Sequence, residues 1–155
     1  MKKAVLALVV VVAAGVGIYF AVGAMHNEAP KQESEQVMVG FPADIAEGDT
    51  RYIESAQIYI VNDGTGIYSV SAVCTHMGCL LDSKEKEEGF ACSCHGSEFD
   101  EEGRAKKGPA EAPLEHYAMS YDSELGIIVD KDDATSDETK WKEPPYYLLL
   151  SDVSQ

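Results

Sequence analysis

The order of apolar and polar positions divides the chain into three unlike parts. Residues 4–25, AVLALVVVVAAGVGIYFAVGAM, carry no charge. As a helix these 22 residues would reach about 33 Å, slightly beyond the roughly 30 Å hydrocarbon core of a bilayer. A cleaved signal sequence has an apolar run of only about 7–15 residues, although VGA at 22–24 would suit a signal peptidase. The pattern therefore predicts a membrane anchor over residues 1–25 made of one transmembrane helix. Lys2 and Lys3 precede it, which places the N-terminus in the cytoplasm and the rest of the chain across the membrane. The next stretch, HNEAPKQESEQ (26–36), is polar and has no apolar period. It predicts a flexible tether with a root-mean-square reach of about 17 Å. His26 in that stretch reads as an exposed juxtamembrane histidine.

From residue 37 to 155 the pattern changes to short apolar runs separated by turn residues, with no helical period. QIYIV (57–61), the turn NDGTG and IYSVSAV (67–73) predict a hairpin. HYAMSY (116–121), the turn DSELG and IIVD (127–130) predict a second. WKEPPYYLLL adds one late, short strand after its proline pair, and the acidic stretches 82–88 and 130–138 read as solvated loops. The fold class that follows is all-β: an antiparallel sandwich or barrel in a single domain spanning 37–155.

Charge narrows the partners. The formal net charge is −15, and residues 4–155 hold 10 Lys/Arg against 27 Asp/Glu, or −17. Such a surface repels phosphates, so no nucleic acid is expected as a partner. It suits a solvated head or one that docks on a basic protein.

The chemistry is concentrated in one place. All four cysteines and two of the four histidines lie in CTHMGC (74–79) and CSCHGS (92–97). A zinc site would use four of these six groups, and its usual Cys-x2-Cys knuckle is absent. A pure disulfide scaffold would leave the histidines unused. One arrangement uses all six: each loop gives one cysteine and one histidine to a two-iron cluster, and the other cysteines join the loops.

CTHMGC and CSCHGS, with the continuation CSCHGSEFDEEGRAKKGPA, closely resemble the two boxes and following loop of Rieske iron–sulfur proteins. The likeness extends over roughly residues 57–130, and an anchor and tether precede it in the expected order. The resemblance implies a Rieske-type β sandwich carrying one 2Fe-2S cluster. Cys74 and Cys92 would hold one iron, and His76 and His95 the other. Cys79 and Cys94 would form a disulfide between the loops. Ser97 would donate a hydrogen bond to the cluster, and Gly108, Pro109 and Ala110 would form a proline loop over it. His116 lies outside the boxes and reads as structural.

The resemblance also implies a function. Two thiolates and two neutral imidazoles leave the oxidised centre uncharged, so an electron enters more easily than at a four-thiolate centre. Electron uptake is coupled to proton uptake at the imidazoles. In quinol-oxidising members the histidine matching His95 faces the quinol. The implied role is that of the Rieske subunit of a multi-subunit cytochrome bc-type complex. It would accept an electron and a proton from quinol at a cytochrome b subunit and pass the electron to a c-type cytochrome. A fixed electron-transfer subunit of another membrane dehydrogenase or oxidase is the alternative; a soluble ferredoxin feeding an oxygenase fits the anchor and loop cysteines less well. With no transit peptide, the implied location is a bacterial inner membrane, crossed once, with the domain in the oxidising periplasm.

Three positions depart from the family pattern. Phe99 stands where a tyrosine is common, which removes a hydrogen bond to a cysteine ligand and implies a lower potential, suited to a low-potential quinol. Ser93 replaces a common proline, and Met77 replaces a leucine beside the cluster as an apolar shield.

Overall fold

The computed structural model describes residues 35–84 and 89–153. The anchor over 1–25 and the expected tether up to residue 34 lie outside the described residues, among which no helix is long and apolar enough to cross a membrane.

The described chain is built from two antiparallel sheets. The larger takes β1 (Gln36–Gly40), β2 (Thr50–Ile53), β3 (Ile58–Asn62), β4 (Gly66–Ser71), β9 (His116–Asp122) and β10 (Gly126–Thr135), in the order β1-β10-β9-β4-β3-β2, with β11 (Leu148–Leu149) paired to β4. The smaller runs β5 (Asp82–Ser83), β6 (Phe90–Ala91), β7 (Glu98–Phe99) and β8 (Ala105–Lys107) in sequence order. A 3-10 turn (Pro42–Asp44) and a closing helix α1 (Leu150–Val153) complete it.

Both expected hairpins are present. In the first, Ile58 faces Ser71 and Asn62 faces Ile67. Every residue of β3 and β4 is buried, which explains the near-continuous apolar reading of those segments. Asp63 closes the turn: its Oδ1 accepts from the amides of Thr65 and Gly66, both at 2.9 Å. In the second hairpin Asp122 acts likewise on Glu124 and Leu125. Gly126 has φ +82°, and a Cβ there would lie 2.4 Å from the Gly40 carbonyl oxygen, so only glycine lets β1 approach.

The structure differs from the sequence expectation at four places. The acidic stretch 82–88, expected as a loop, opens with β5, whose Asp82 and Ser83 pair with Ala91 and Phe90, while 85–88 lie outside the described residues. The chain joins the sheet before residue 37: the Glu35 amide donates to Asp132 Oδ2 at 3.1 Å, its carbonyl accepts from the Lys131 amide at 3.0 Å, and β1 begins at Gln36. The last two residues of the expected tether thus belong to the body. The acidic stretch from 130 is not all loop, because β10 continues to Thr135 after a register shift between Asp130 and Ala134. Backbone pairing to Tyr117 and His116 holds it, a force that side-chain hydropathy does not report. A short helix, α1, also ends the described chain where none is expected.

His116 is structural, as expected. It is fully buried in β9, its ring stacked on Tyr68 at 5.3 Å and on Trp141 at 4.4 Å. The neutral ring donates its Nε2–H to the Glu102 carbonyl at 2.9 Å. Desolvation, then the nearby Lys142 and Arg104 cations, hold its pKa down at about 3, from an ordinary 6.5. The neutral ring is thus the one the fold accepts. Between those two values the unfolded chain binds a proton that the folded chain refuses. The contribution is full above pH 6.5 and falls, as pH drops through the window, by up to ~1.4 kcal/mol per pH unit. Urea midpoints should therefore fall between pH 7 and 5 in the native chain, and much less in His116→Gln.

Candidate metal centre

Each of the two Cys/His loops leaves and re-enters a sheet, and each closes by the same two backbone hydrogen bonds. In the first, the Cys74 amide donates to the Cys79 carbonyl at 2.8 Å and the Gly78 amide returns to the Cys74 carbonyl at 2.9 Å. In the second, the Cys92 amide donates to Ser97 at 2.8 Å and the Gly96 amide to Cys92 at 2.9 Å. Gly78 and Gly96 have φ of +77° and +74°, a left-handed backbone that a Cβ would strain. The Cys-x3-Gly spacing common to both loops is a sequence signal for these two glycines, which side-chain chemistry alone does not single out. An isolated bridge between Val73 and Leu80 draws the ends of the first loop together.

The Cys79–Cys94 disulfide joins the loops, with Cα atoms 6.6 Å apart. Cys74 and Cys92 are free thiols, and both are buried. The His76 and His95 rings meet edge to face, with centroids 4.8 Å apart and planes at 87°. His95 is exposed and His76 half-buried. His76 Nδ1 is buried with no hydrogen-bond partner, a donor atom directed inward that nothing in the protein satisfies.

The proline loop lies against both Cys/His loops. Gly108 has φ +90°, and a Cβ there would fall 2.5 Å from Ser97 Cα, so the backbone approach needs glycine. Ala110 is buried and donates its amide to Ser97 Oγ at 3.2 Å, which leaves the Ser97 hydroxyl proton free to point elsewhere. Thr75 Oγ1 donates to the Ala112 carbonyl at 2.7 Å and ties the first loop to the same segment. This contact of Thr75 has no counterpart in the sequence reading, because its partner is 37 residues away. Pro109 is exposed.

The remaining expected positions divide. Phe99 is buried in β7 opposite Phe90, which packs on Tyr59 with ring centroids 4.9 Å apart. Met77 is 72% exposed, with Leu80 beside it at 47%, so Met77 forms outer surface rather than a packed shield. Ser93 is also exposed.

Two buried free thiols, two adjoining imidazoles and one unsatisfied inward nitrogen fit a mixed thiolate–imidazole iron centre. The three neighbouring sulfurs of Cys79, Cys92 and Cys94 cannot be a ligand trio, because two of them are bonded to each other. The profile of the Rieske [2Fe-2S] domain matches residues 35–118. The chain belongs to the Rieske family. It carries one Rieske-type 2Fe-2S cluster.

Relatives agree with that membership. The cytochrome b6-f complex iron-sulfur subunit of Chlorobaculum tepidum is 33% identical over 86 residues, which is 54% of this chain and 48% of the relative. The subunit of the same name from Synechococcus sp. strain RCC307 is 32% identical over 110 residues, 66% of this chain and 62% of the relative. The matched part thus spans only about half to three-fifths of these relatives' length. Among solved structures, the cyanobacterial plasma membrane Rieske protein from Synechocystis is 33% identical, with a TM-score of 0.42, over 52% of this chain and 83% of that one.

Proposed function

We propose that this Rieske protein is the electron-carrying subunit of a membrane cytochrome bc- or b6-f-type complex. In that role it accepts an electron and a proton from quinol beside a cytochrome b subunit and passes the electron to a c-type cytochrome. The observation that carries the reading is the exposed His95 ring, edge-on to His76 at a loop tip whose other donors, Cys74 and Cys92, are buried. The names of the relatives, subunits of cytochrome b6-f complexes, support the assembly. Residues 4–25 would anchor the chain in a bacterial inner membrane, and residues 26–34 would tether the periplasmic body to it.

In this assignment Cys74 and Cys92 hold one iron, and His76 and His95 hold the other. The bound cluster supplies one-electron chemistry at a potential raised by neutral imidazole ligation, within about −150 to +300 mV. The protein residues supply the rest. The buried, unpartnered Nδ1 of His76 is the atom that would bind iron. At the exposed His95 the outer ring nitrogen would take the quinol hydroxyl proton from its deprotonated form beside the oxidised centre, and would hold it as a neutral imidazole N–H once the centre is reduced. Exposed Met77 and Leu80 give the tip an apolar surface for a membrane-embedded partner. The disulfide and the proline loop hold the two loops in register while the ring exchanges its proton.

Phe99 tunes the potential by what it lacks. A phenol at this buried position would donate to a cysteine sulfur and favour the reduced state. Phe99→Tyr should raise the midpoint potential by about 60 mV, the one-electron equivalent of a hydrogen bond worth about 1.4 kcal/mol. A redox titration that finds no change removes this explanation. For the function itself, the complex should be purified from membranes by this subunit. Co-purification of a cytochrome b with quinol-dependent cluster reduction is the expected result; a complex without cytochrome b, whose cluster quinol does not reduce, would refute it.

A further inference from the structure

We propose that Cys92 exchanges with the loop-joining disulfide whenever the cluster does not hold it, so that the cluster-free chain presents Cys94 as a reactive thiol to solvent. The Sγ atoms of Cys79, Cys92 and Cys94 all lie within 4.8 Å of one another. Two of them form the disulfide, and the third is a free, buried thiol. Exchange needs an attacking sulfur close to the bond and in line with it, and a sulfur able to leave; the proximity is in place, and Cys92 must turn into line once the cluster no longer holds it.

The two possible products are not equivalent. Attack on Cys94 would release Cys79, bridge residues within one loop and let the loops part. Attack on Cys79 keeps the loops joined and releases the sulfur of Cys94, the exposed residue of the pair; Cys79 is only half-exposed. The second path is the one proposed. The Cys92 sulfur bonds to the Cys79 sulfur, the Cys79–Cys94 bond breaks, and the proton lost by Cys92 is taken up at Cys94 through water. No electron is gained or lost, and no further reactant is required. The product has one ligand position blocked and one thiol open to electrophiles and small disulfides, so a chain that has lost its cluster carries a modification site that the loaded chain does not. The inference rests on Cys92 being a cluster ligand and otherwise goes beyond the electron-transfer role.

The test uses the full chain, cluster-loaded and after iron removal with a chelator under argon. Both are pulsed with N-ethylmaleimide, quenched in acid, digested without reduction and mapped by mass spectrometry over a series of pulse times. The loaded chain should show the Cys79–Cys94 pair and an unlabelled Cys94. The cluster-free chain should show a Cys79–Cys92 pair, with Cys94 labelling at least tenfold higher and preceding any label on buried Cys74. In Cys92→Ser the Cys94 label should stay at background. Label on Cys92 with the Cys79–Cys94 pair intact would overturn the proposal. So would Cys74 labelling before Cys94, the order that simple unfolding gives, or equal Cys94 labelling in Cys92→Ser. A Cys92→Ser chain that keeps the reduced-cluster EPR signal would instead remove Cys92 from the ligand set, a separate failure.

Discussion

Replacement of either free thiol, Cys74→Ser or Cys92→Ser, is expected to abolish the cluster altogether. A hydroxyl is a poor donor to iron beside a thiolate, and each cysteine is buried where no exposed substitute can reach. The expected readings are loss of visible absorbance and of the reduced EPR signal, with iron content falling to background. The sheets should survive, because β3 and β4 pair over their full length and Cys→Ser hardly changes the size of a side chain that shares their core. Far-UV circular dichroism checks this. A Cys74→Ser protein that retains full iron would show that the buried thiols are packing residues only.

The second large effect is expected from the disulfide. Its partners are 15 residues apart, and a loop of that size is worth about 3 kcal/mol in closure entropy. The double variant Cys79→Ser/Cys94→Ser should lose roughly that much stability and should also lose the fixed approach of the two loops. His76 and His95 come from different loops, so their edge-to-face contact depends on that approach. The cluster of the double variant should assemble poorly and decay faster in air, followed as loss of the EPR signal with time. An unchanged unfolding midpoint and an unchanged decay would show that the loops are held by the Thr75–Ala112 and Ala110–Ser97 contacts alone.

The site was more legible in the sequence than the fold around it. Iron accepts few side-chain types, so the paired boxes at 74–79 and 92–97 expose their chemistry directly in the residue letters. The hairpins of β3–β4 and β9–β10 were legible for a related reason, since buried strands must be apolar and their turns need Asp and Gly. β1 and β2 were not, because each is a short edge strand with mixed side chains that gains most from backbone pairing. The acidic end of β10 was hidden in the same way. At the site, what stayed hidden were contacts made through backbone atoms far apart in sequence. Thr75 reaches a carbonyl at Ala112, and Gly108 is fixed by the Cα of Ser97. Neither partner can be read from local pattern. Met77 shows the opposite limit: an apolar letter beside a candidate ligand suggested shielding, whereas the loop turns that side chain outward.

The most direct test of the central claim is an EPR spectrum of the dithionite-reduced protein, taken for the native chain and for His76 and His95 variants. Mixed thiolate and imidazole ligation predicts a 2Fe-2S signal with the low average g-value of such centres, lost or altered when either histidine is replaced. A signal with the higher average g-value of four-thiolate ligation, or one indifferent to both histidines, would contradict the account.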